Sequence, residues 1–208
     1  MKSEIILTIG RQFGSGGRSI GQQLARDLHF AYYDKELLAE AAKTSGLCNE
    51  VFEHADERTR GAAYTLPVGF ANADYYAPAS HILSDEQLFL FQSNAIQCIA
   101  GKGESCVLVG RCADYVLRDH PNLLSFFIHD KAETRIQTIA QRDHMSTDAA
   151  KEMMRKQDKS RAAYYKYYTG KEWGVASSYH FSINVSLLGI QGTVELIEQI
   201  VRAQPILP

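Results

Sequence analysis

The sequence predicts an α/β fold built on a parallel sheet, and three observations carry that expectation. Short apolar, β-branched runs alternate with amphipathic stretches along nearly the whole chain. The first of these runs passes through a glycine-rich turn straight into a helix, the opening of a βαβ unit. The chain has 208 residues, 45% hydrophobic and 22% charged, a size and balance suited to one domain or one domain with an inserted subdomain. Such a chain buries roughly 70% of its extended surface and needs no metal or disulfide to fold.

The elements follow in order. Residues 5–9 (Ile-Ile-Leu-Thr-Ile) form a continuous apolar run, as expected of a strand covered on both faces. Beyond the glycine turn, Ile20, Leu24 and Leu28 mark the buried stripe of a helix. Ala31-Tyr32-Tyr33 is a short second strand, and Asp34 is placed to cap a helix carrying Leu37, Leu38, Ala41 and Ala42 on one face. A further helix is expected near 51–57. Over 58–80 the pattern dissolves around Gly61, Pro67, Gly69 and Pro78, a connection long enough to suggest a lid, a binding loop or a plain connector. Periodicity returns as a helix over 85–100, a core strand over 106–109 and another over 123–128. Asp130 and Glu133 predict a capping box for a helix over 131–142. A long polar-faced helix is expected over 148–168, a last strand over 181–184 and a closing helix over 194–201.

Composition narrows the function. Lys+Arg number 22 and Asp+Glu 24, a net charge of −2, which argues against a protein that coats nucleic acid or an anionic membrane. The four cysteines, Cys48, Cys98, Cys106 and Cys112, form no C-x-x-C pair and no disulfide framework, pointing to a reducing compartment. The seven histidines show no metal-ligand spacing. The apolar run near the start is too short for a signal peptide or a membrane span, so a cytoplasmic location is expected.

The chemistry concentrates in residues 10–19, Gly-Arg-Gln-Phe-Gly-Ser-Gly-Gly-Arg-Ser. Glycines there let successive N–H groups face one concavity at the positive end of a helix, an arrangement that binds phosphate. The alternative is a tight turn whose glycines serve packing alone. The match to G-x-x-x-x-G-K-[ST] is imperfect: the spacing is one residue too long, Gly17 stands at the lysine position, and the nearest cation is Arg18. Ser19 stands where a hydroxyl reaches Mg²⁺. No acid follows the 106–109 strand, which leaves Ser19, waters, the phosphates and Asp34 as an outer-shell carboxylate to hold the metal.

That opening, with Tyr32-Tyr33-Asp34-Lys35-Glu36-Leu37-Leu38, Gly110-Arg111 and Asp158-Lys159-Ser160-Arg161, resembles the bacterial cytidylate kinase-like family. These are P-loop relatives of the nucleoside monophosphate kinases, and the resemblance is weakest over 58–80. It implies a three-layer P-loop NTPase fold with a parallel sheet, a helical NMP-binding insertion (46–82) and a mobile lid (143–178). By the same resemblance Gly14, Ser15, Gly16, Gly17 and Ser19 fall on the phosphate loop, Arg18 replaces the lysine, and Asp34 lies near the acceptor. Arg111 falls on the arginine that holds the acceptor phosphate, and Asp158 and Arg161 fall on the D-x-x-R of the lid. Two positions depart from the family pattern: Cys112 replaces an aspartate, with Asp114 two residues on, and Met154 replaces an arginine, with Arg155 beside it.

Phosphoryl transfer needs positioning and cationic clamps more than covalent chemistry. On the 148–168 helix Arg155, Asp158 and Arg161 share a face, so Asp158 is expected to orient one or both arginines. Arg135 and Arg142 are ambiguous. Tyr164-Tyr165-Lys166-Tyr167-Tyr168 serves packing of that helix or a homodimer contact better than nucleic-acid stacking. The expectation is ATP- and Mg²⁺-dependent phosphoryl transfer to a nucleoside monophosphate such as CMP. Two alternatives remain open: a nucleotide-binding regulatory module without turnover, and a kinase of another small metabolite.

Overall fold

The computed structural model describes residues 4–34 and 85–204. The expected helices after Asp34, the 58–80 stretch, the 46–82 insertion and Cys48 lie outside the described residues. The five described strands form one parallel sheet in the order β2-β3-β1-β4-β5. They are β1 (Ile6–Arg11), β2 (Ala31–Tyr33), β3 (Cys106–Val109), β4 (Leu123–His129) and β5 (Phe181–Asn184). The helices are α1 (Gly17–Asp27), α2 (Asp85–Ala100), α3 (Ala113–Val116), α4 (Ala132–Arg142), α5 (Thr147–Thr169) and α6 (Val185–Arg202).

The continuous apolar strands are explained by cover on both faces. Side chains alternate across a strand, so Leu7 and Ile9 of β1 point to one side and Ile6 to the other. Leu7 and Ile9 pack with Ile20 and Leu24 of α1 and Val194, Ile197 and Val201 of α6. Ile6 joins Leu108 of β3 with Ile96 and Ile99 of α2. Three layers result, and because the strands are parallel all their carboxyl ends meet at one edge. The chain reverses its winding beside β1, between β3 on one side and β4 on the other, and ligands of open α/β sheets bind outside such a point.

Several boundaries differ from the sequence reading. Helix α6 begins at Val185, nine residues before the expected start, because a short turn is joined to the helix across a break at Gly189. There φ is 66° and ψ 179°, a conformation open essentially to glycine alone. The break sends Ile190 toward the phosphate loop, where its side chain lies 3.1 Å from the Cβ position of Gly16. The Asp130/Glu133 capping box does not form. Lys131 is the N-cap without a side-chain bond, and Asp130 instead accepts from the Lys131 N–H at 2.7 Å and from the Ser186 hydroxyl. Helix α5 is capped as an N-terminus should be, the Ser146 hydroxyl accepting from the Ala149 N–H.

A small satellite core of Ile139, Ala150 and Met154, with Phe13 against it, joins α4 and α5 to the phosphate loop. Ile139 is fully buried, and its side chain approaches the Cβ position of Gly14 at 2.9 Å. Replacing Ile139 by Ala should cost about 3 kcal/mol of unfolding free energy by chemical denaturation, the range for emptying such a core position. It should also weaken nucleotide binding, because the floor under Gly14 is lost.

Candidate active site

The phosphate loop takes its shape from two left-handed glycines. Gly14 has φ 81° and Gly16, the N-cap of α1, has φ 79°. Around them the chain is pinned from below. The Gln12 N–H donates to the Ile128 carbonyl at 3.0 Å, and the Ser15 hydroxyl bonds the Gln12 and Ile128 carbonyls at 2.9 and 3.1 Å. Ser15 is thus a buried structural residue of the loop. The loop's free N–H groups and the start of α1 are left to face a ligand.

Two cavities open at the carboxyl edge of the sheet. One, of about 520 Å³, lies over the phosphate loop and is lined by Gly14, Gly16, Gly17, Arg18, Ser19 and Asp34, among others. The second, of about 360 Å³, lies beyond β3 and is lined by Arg111, Asp114, Tyr164, Tyr165, Trp173 and Tyr179, among others. They share two wall residues, Arg11 and Arg161. The Arg161 guanidinium donates to the Arg11 carbonyl at 3.0 Å, which ties α5 to the end of β1.

This boundary is strongly cationic. Burial, with Arg161 and Arg111 beside it, brings the Arg11 guanidinium down from its usual range to about 9. Burial lowers Arg161 as well, opposed by Asp158. Arg111 follows Gly110 in a left-handed turn, with φ of 59° at Arg111 and 55° at Cys112. Each such residue costs about 1–2 kcal/mol, and the turn aims Arg111 across the second cavity with its guanidinium 5.7 Å from the Tyr164 ring centre.

The other expected residues fall as follows. Arg18 is more than half exposed and pairs with buried Asp34 at 2.7 Å. Ser19 is exposed at the cavity mouth. Asp158 bonds neither Arg155 nor Arg161. One carboxylate oxygen accepts from the Phe13 N–H at 2.8 Å, and the other from buried Arg135 at 2.5 Å. Arg135 also donates to the Phe13 carbonyl. Arg155 is exposed and lines neither cavity. Tyr164 and Tyr168 pack on Phe89 of α2, the Phe89 and Tyr168 rings stacked with centres 4.0 Å apart, so this part of the tyrosine run packs helices together.

Four residues gain a place that sequence reasoning did not assign. Arg11 was read only as part of the glycine-rich loop, whereas β1 runs on through it. Arg135 and Arg142 carried no signal that separated them from solvated charges. Phe13 is held between the guanidinium groups of Arg142 and Arg161, at 5.0 and 5.3 Å. The one signal bearing on Arg11 was the missing cation at Gly17, which the sequence reading assigned to Arg18.

Mg²⁺ fits the donors at the first cavity. The Ser19 hydroxyl and the Asp34 carboxylate line it together, as a hard cation held mainly by phosphates and water requires. Among the described residues no cluster of three His, Cys, Asp or Glu side chains forms a preassembled metal site.

A family model for the cytidylate kinase-like family matches residues 6–187. The chain belongs to that family. Among solved structures it is similar to an uncharacterized protein from Eubacterium ventriosum ATCC 27560, at 28% identity and a TM-score of 0.74, over 97% of this chain and 100% of that one. The fold is shared with shikimate kinase from Bacteroides thetaiotaomicron, at 12% identity and a TM-score of 0.51, over 95% and 98% of the two chains. It is shared equally with a sugar kinase from Janibacter sp. HTCC2649, at 12% identity and a TM-score of 0.51, over 97% and 96%. No match is found among curated proteins. Membership in a kinase-like family supports phosphoryl transfer as the general chemistry of this cytidylate kinase-like chain. None of its described helices is long and apolar enough to cross a membrane.

Two predictions follow from these contacts. Asp158→Ala strands the buried Arg135 cation and should cost about 3 kcal/mol in chemical denaturation. The second concerns Asp114, which is half-buried and accepts from the Tyr165 hydroxyl at 2.7 Å. Burial raises its pKa in the folded state. The native protein therefore binds this proton more tightly than the unfolded chain, and stability tied to it is present at low pH and lost as pH rises through the folded value. The stability of the wild type relative to Asp114→Asn should fall as pH rises from the ordinary carboxylate range through the raised folded value, read in denaturation series at stepped pH.

Proposed function

We propose that this protein transfers the γ-phosphoryl group of ATP to a nucleoside monophosphate, with CMP the first candidate. The observation that carries the reading is the pair of cavities meeting at Arg11 and Arg161. In-line transfer needs a donor and an acceptor site facing each other across cations, and this is such a boundary.

The first cavity suits the nucleotide triphosphate. The N–H groups of Gly14, Gly16, Gly17 and Arg18 cradle its phosphates, Arg18 stands at the rim, and Ser19, with Asp34 as an outer-shell carboxylate, would hold Mg²⁺. When bound, that ion supplies counter-charge to the phosphate oxygens. The second cavity suits the acceptor. Arg111 and Arg161 hold the acceptor phosphate, while Tyr164, Tyr165, Trp173 and Tyr179 offer aromatic walls to a planar base. Its size is that of a small-molecule site. Asp158 is a positioning residue, fixing Phe13 and thereby the phosphate loop.

The test is product formation from Mg-ATP with a panel of nucleoside monophosphates, shikimate and simple sugars. Transfer to a monophosphate is expected. Arg111→Ala should lower kcat/KM for that acceptor by about 100-fold, the size of losing one preorganised charge donor, with ATP affinity little changed. Transfer only to a hydroxyl compound, or ATP binding with no transfer to any acceptor, would overturn the reading.

A further inference from the structure

A P-loop ordinarily carries a lysine at the first turn of its helix, reaching the β- and γ-phosphates. Here that position is Gly17, the first residue of α1. The space its side chain would enter is already filled. A Cβ on Gly17 would lie 2.5 Å from the Arg11 Cβ and 3.0 Å from its Cγ. The Arg11 side chain therefore runs from the end of β1 through the place where the lysine would begin.

The far end of that side chain is accommodated the same way. Its guanidinium rests on Gly110 at the end of β3, and a Cβ there would meet Nη1 and lie 3.0 Å from Cζ. Gly110 also has φ 80°, so two requirements favour glycine. Arg11 lines both cavities. Among the described residues it has no hydrogen bond and no ion pair, while Arg161, Arg111 and Arg18 all repel it. A half-buried cation held among cations is arranged for an anion that arrives with the ligand. Arg18, by contrast, is largely exposed and neutralised by Asp34.

We propose that Arg11 is the catalytic cation of this site, replacing the P-loop lysine from the strand end, and that Gly17 and Gly110 are glycines because they clear its path. The proposal rests on the phosphoryl-transfer reading. In the step, the bond from the γ-phosphorus to the β–γ bridging oxygen breaks and a bond from phosphorus to an acceptor phosphate oxygen forms. The products are a nucleoside diphosphate from each partner. Arg11 neither gives nor takes a proton; it holds oxygens of the group in transit. An arginine suits that place better than a lysine, since its planar fork can address oxygens on both sides of the boundary.

The test is a substitution set measured for turnover, ATP affinity by calorimetry and melting temperature. Arg11→Met keeps the bulk and removes the charge. It should stay folded and lose at least about 100-fold in kcat, with a smaller change in KM for ATP. Gly17→Lys alone should be impaired, because the new side chain collides with Arg11. The double variant Arg11→Gly/Gly17→Lys restores an ordinary P-loop; glycine is used at 11 because the Arg11 Cβ is itself part of the collision. It should turn over at least about tenfold faster than Arg11→Gly, a rescue that a purely structural arginine would not allow. Arg11→Met at wild-type turnover, or a folded double variant no faster than Arg11→Gly, would overturn the assignment. Should the wild type transfer to no acceptor, the function reading fails separately. Arg11 is then read from ATP affinity: loss in Arg11→Met with recovery in the double variant supports the exchange, and unchanged affinity overturns it.

Discussion

The mutual repulsion of arginines at the end of β1 is the constraint around which the rest of the site is arranged. Arg11 and Arg161 meet where the two cavities join, with Arg111 beside them, and burial adds to the disfavour of the Arg11 and Arg161 charges. Among the described residues the Arg11 guanidinium has no hydrogen bond or ion pair, and Arg111 lies over the Tyr164 ring. The fold holds them by other means. Arg11 is threaded between two glycines, Arg111 sits in a left-handed turn, and Arg161 is bonded to a backbone carbonyl. Energy from packing elsewhere is thus stored as positive charge, which a polyphosphate would relieve on the proposed reading. Preorganised charge of this kind needs no rearrangement when the transition state forms.

Holding charge in place requires a stiff frame, and the frame is built from the other arginines. Arg135 and Asp158 form a nearly buried pair that also grips both backbone groups of Phe13. Arg142 and Arg161 flank the Phe13 ring. One residue of the phosphate loop is therefore fixed by α4 and α5 together. The positions assigned to a mobile lid on resemblance are, at this end of α5, bonded into the loop itself. Any movement of that helix carries Arg161 with it and changes both cavities at once.

Much of the fold was legible because its signals are local. Apolar runs such as 106–109 and 123–128 are short, continuous and bounded, and the structure places strands there. The start of α6 was not legible, since Gly189 breaks the periodicity that marks a helix and only tertiary packing carries the chain across it. The capping box at Asp130 failed for a related reason: Ser186, far along the chain, competes for the same carboxylate. At the site, the loop glycines and Arg111 could be read from motif spacing. Asp158 could be found but not its role, because helical spacing said it would face Arg155 or Arg161, whereas its partners come from α4 and the loop. Spacing along one helix cannot reveal a contact supplied by another.

The same limit explains why Gly17 looked like a defect. Read along the chain, a P-loop without its lysine has lost a cation, and the nearest replacement is the next residue, Arg18. Read in space, residue 11 lies directly against the vacated position, because β1 and α1 are the two arms of one tight turn. The strand end has an advantage the helix start lacks. A side chain leaving β1 crosses toward β3, where the second cavity opens, whereas Arg18 at the helix start lines the first cavity alone. On the proposed reading, moving the charge to the strand places it between donor and acceptor. The requirement for glycine at both 17 and 110 is the geometric consequence, since a side chain crossing two strand–helix turns at this range leaves no room for a Cβ on either.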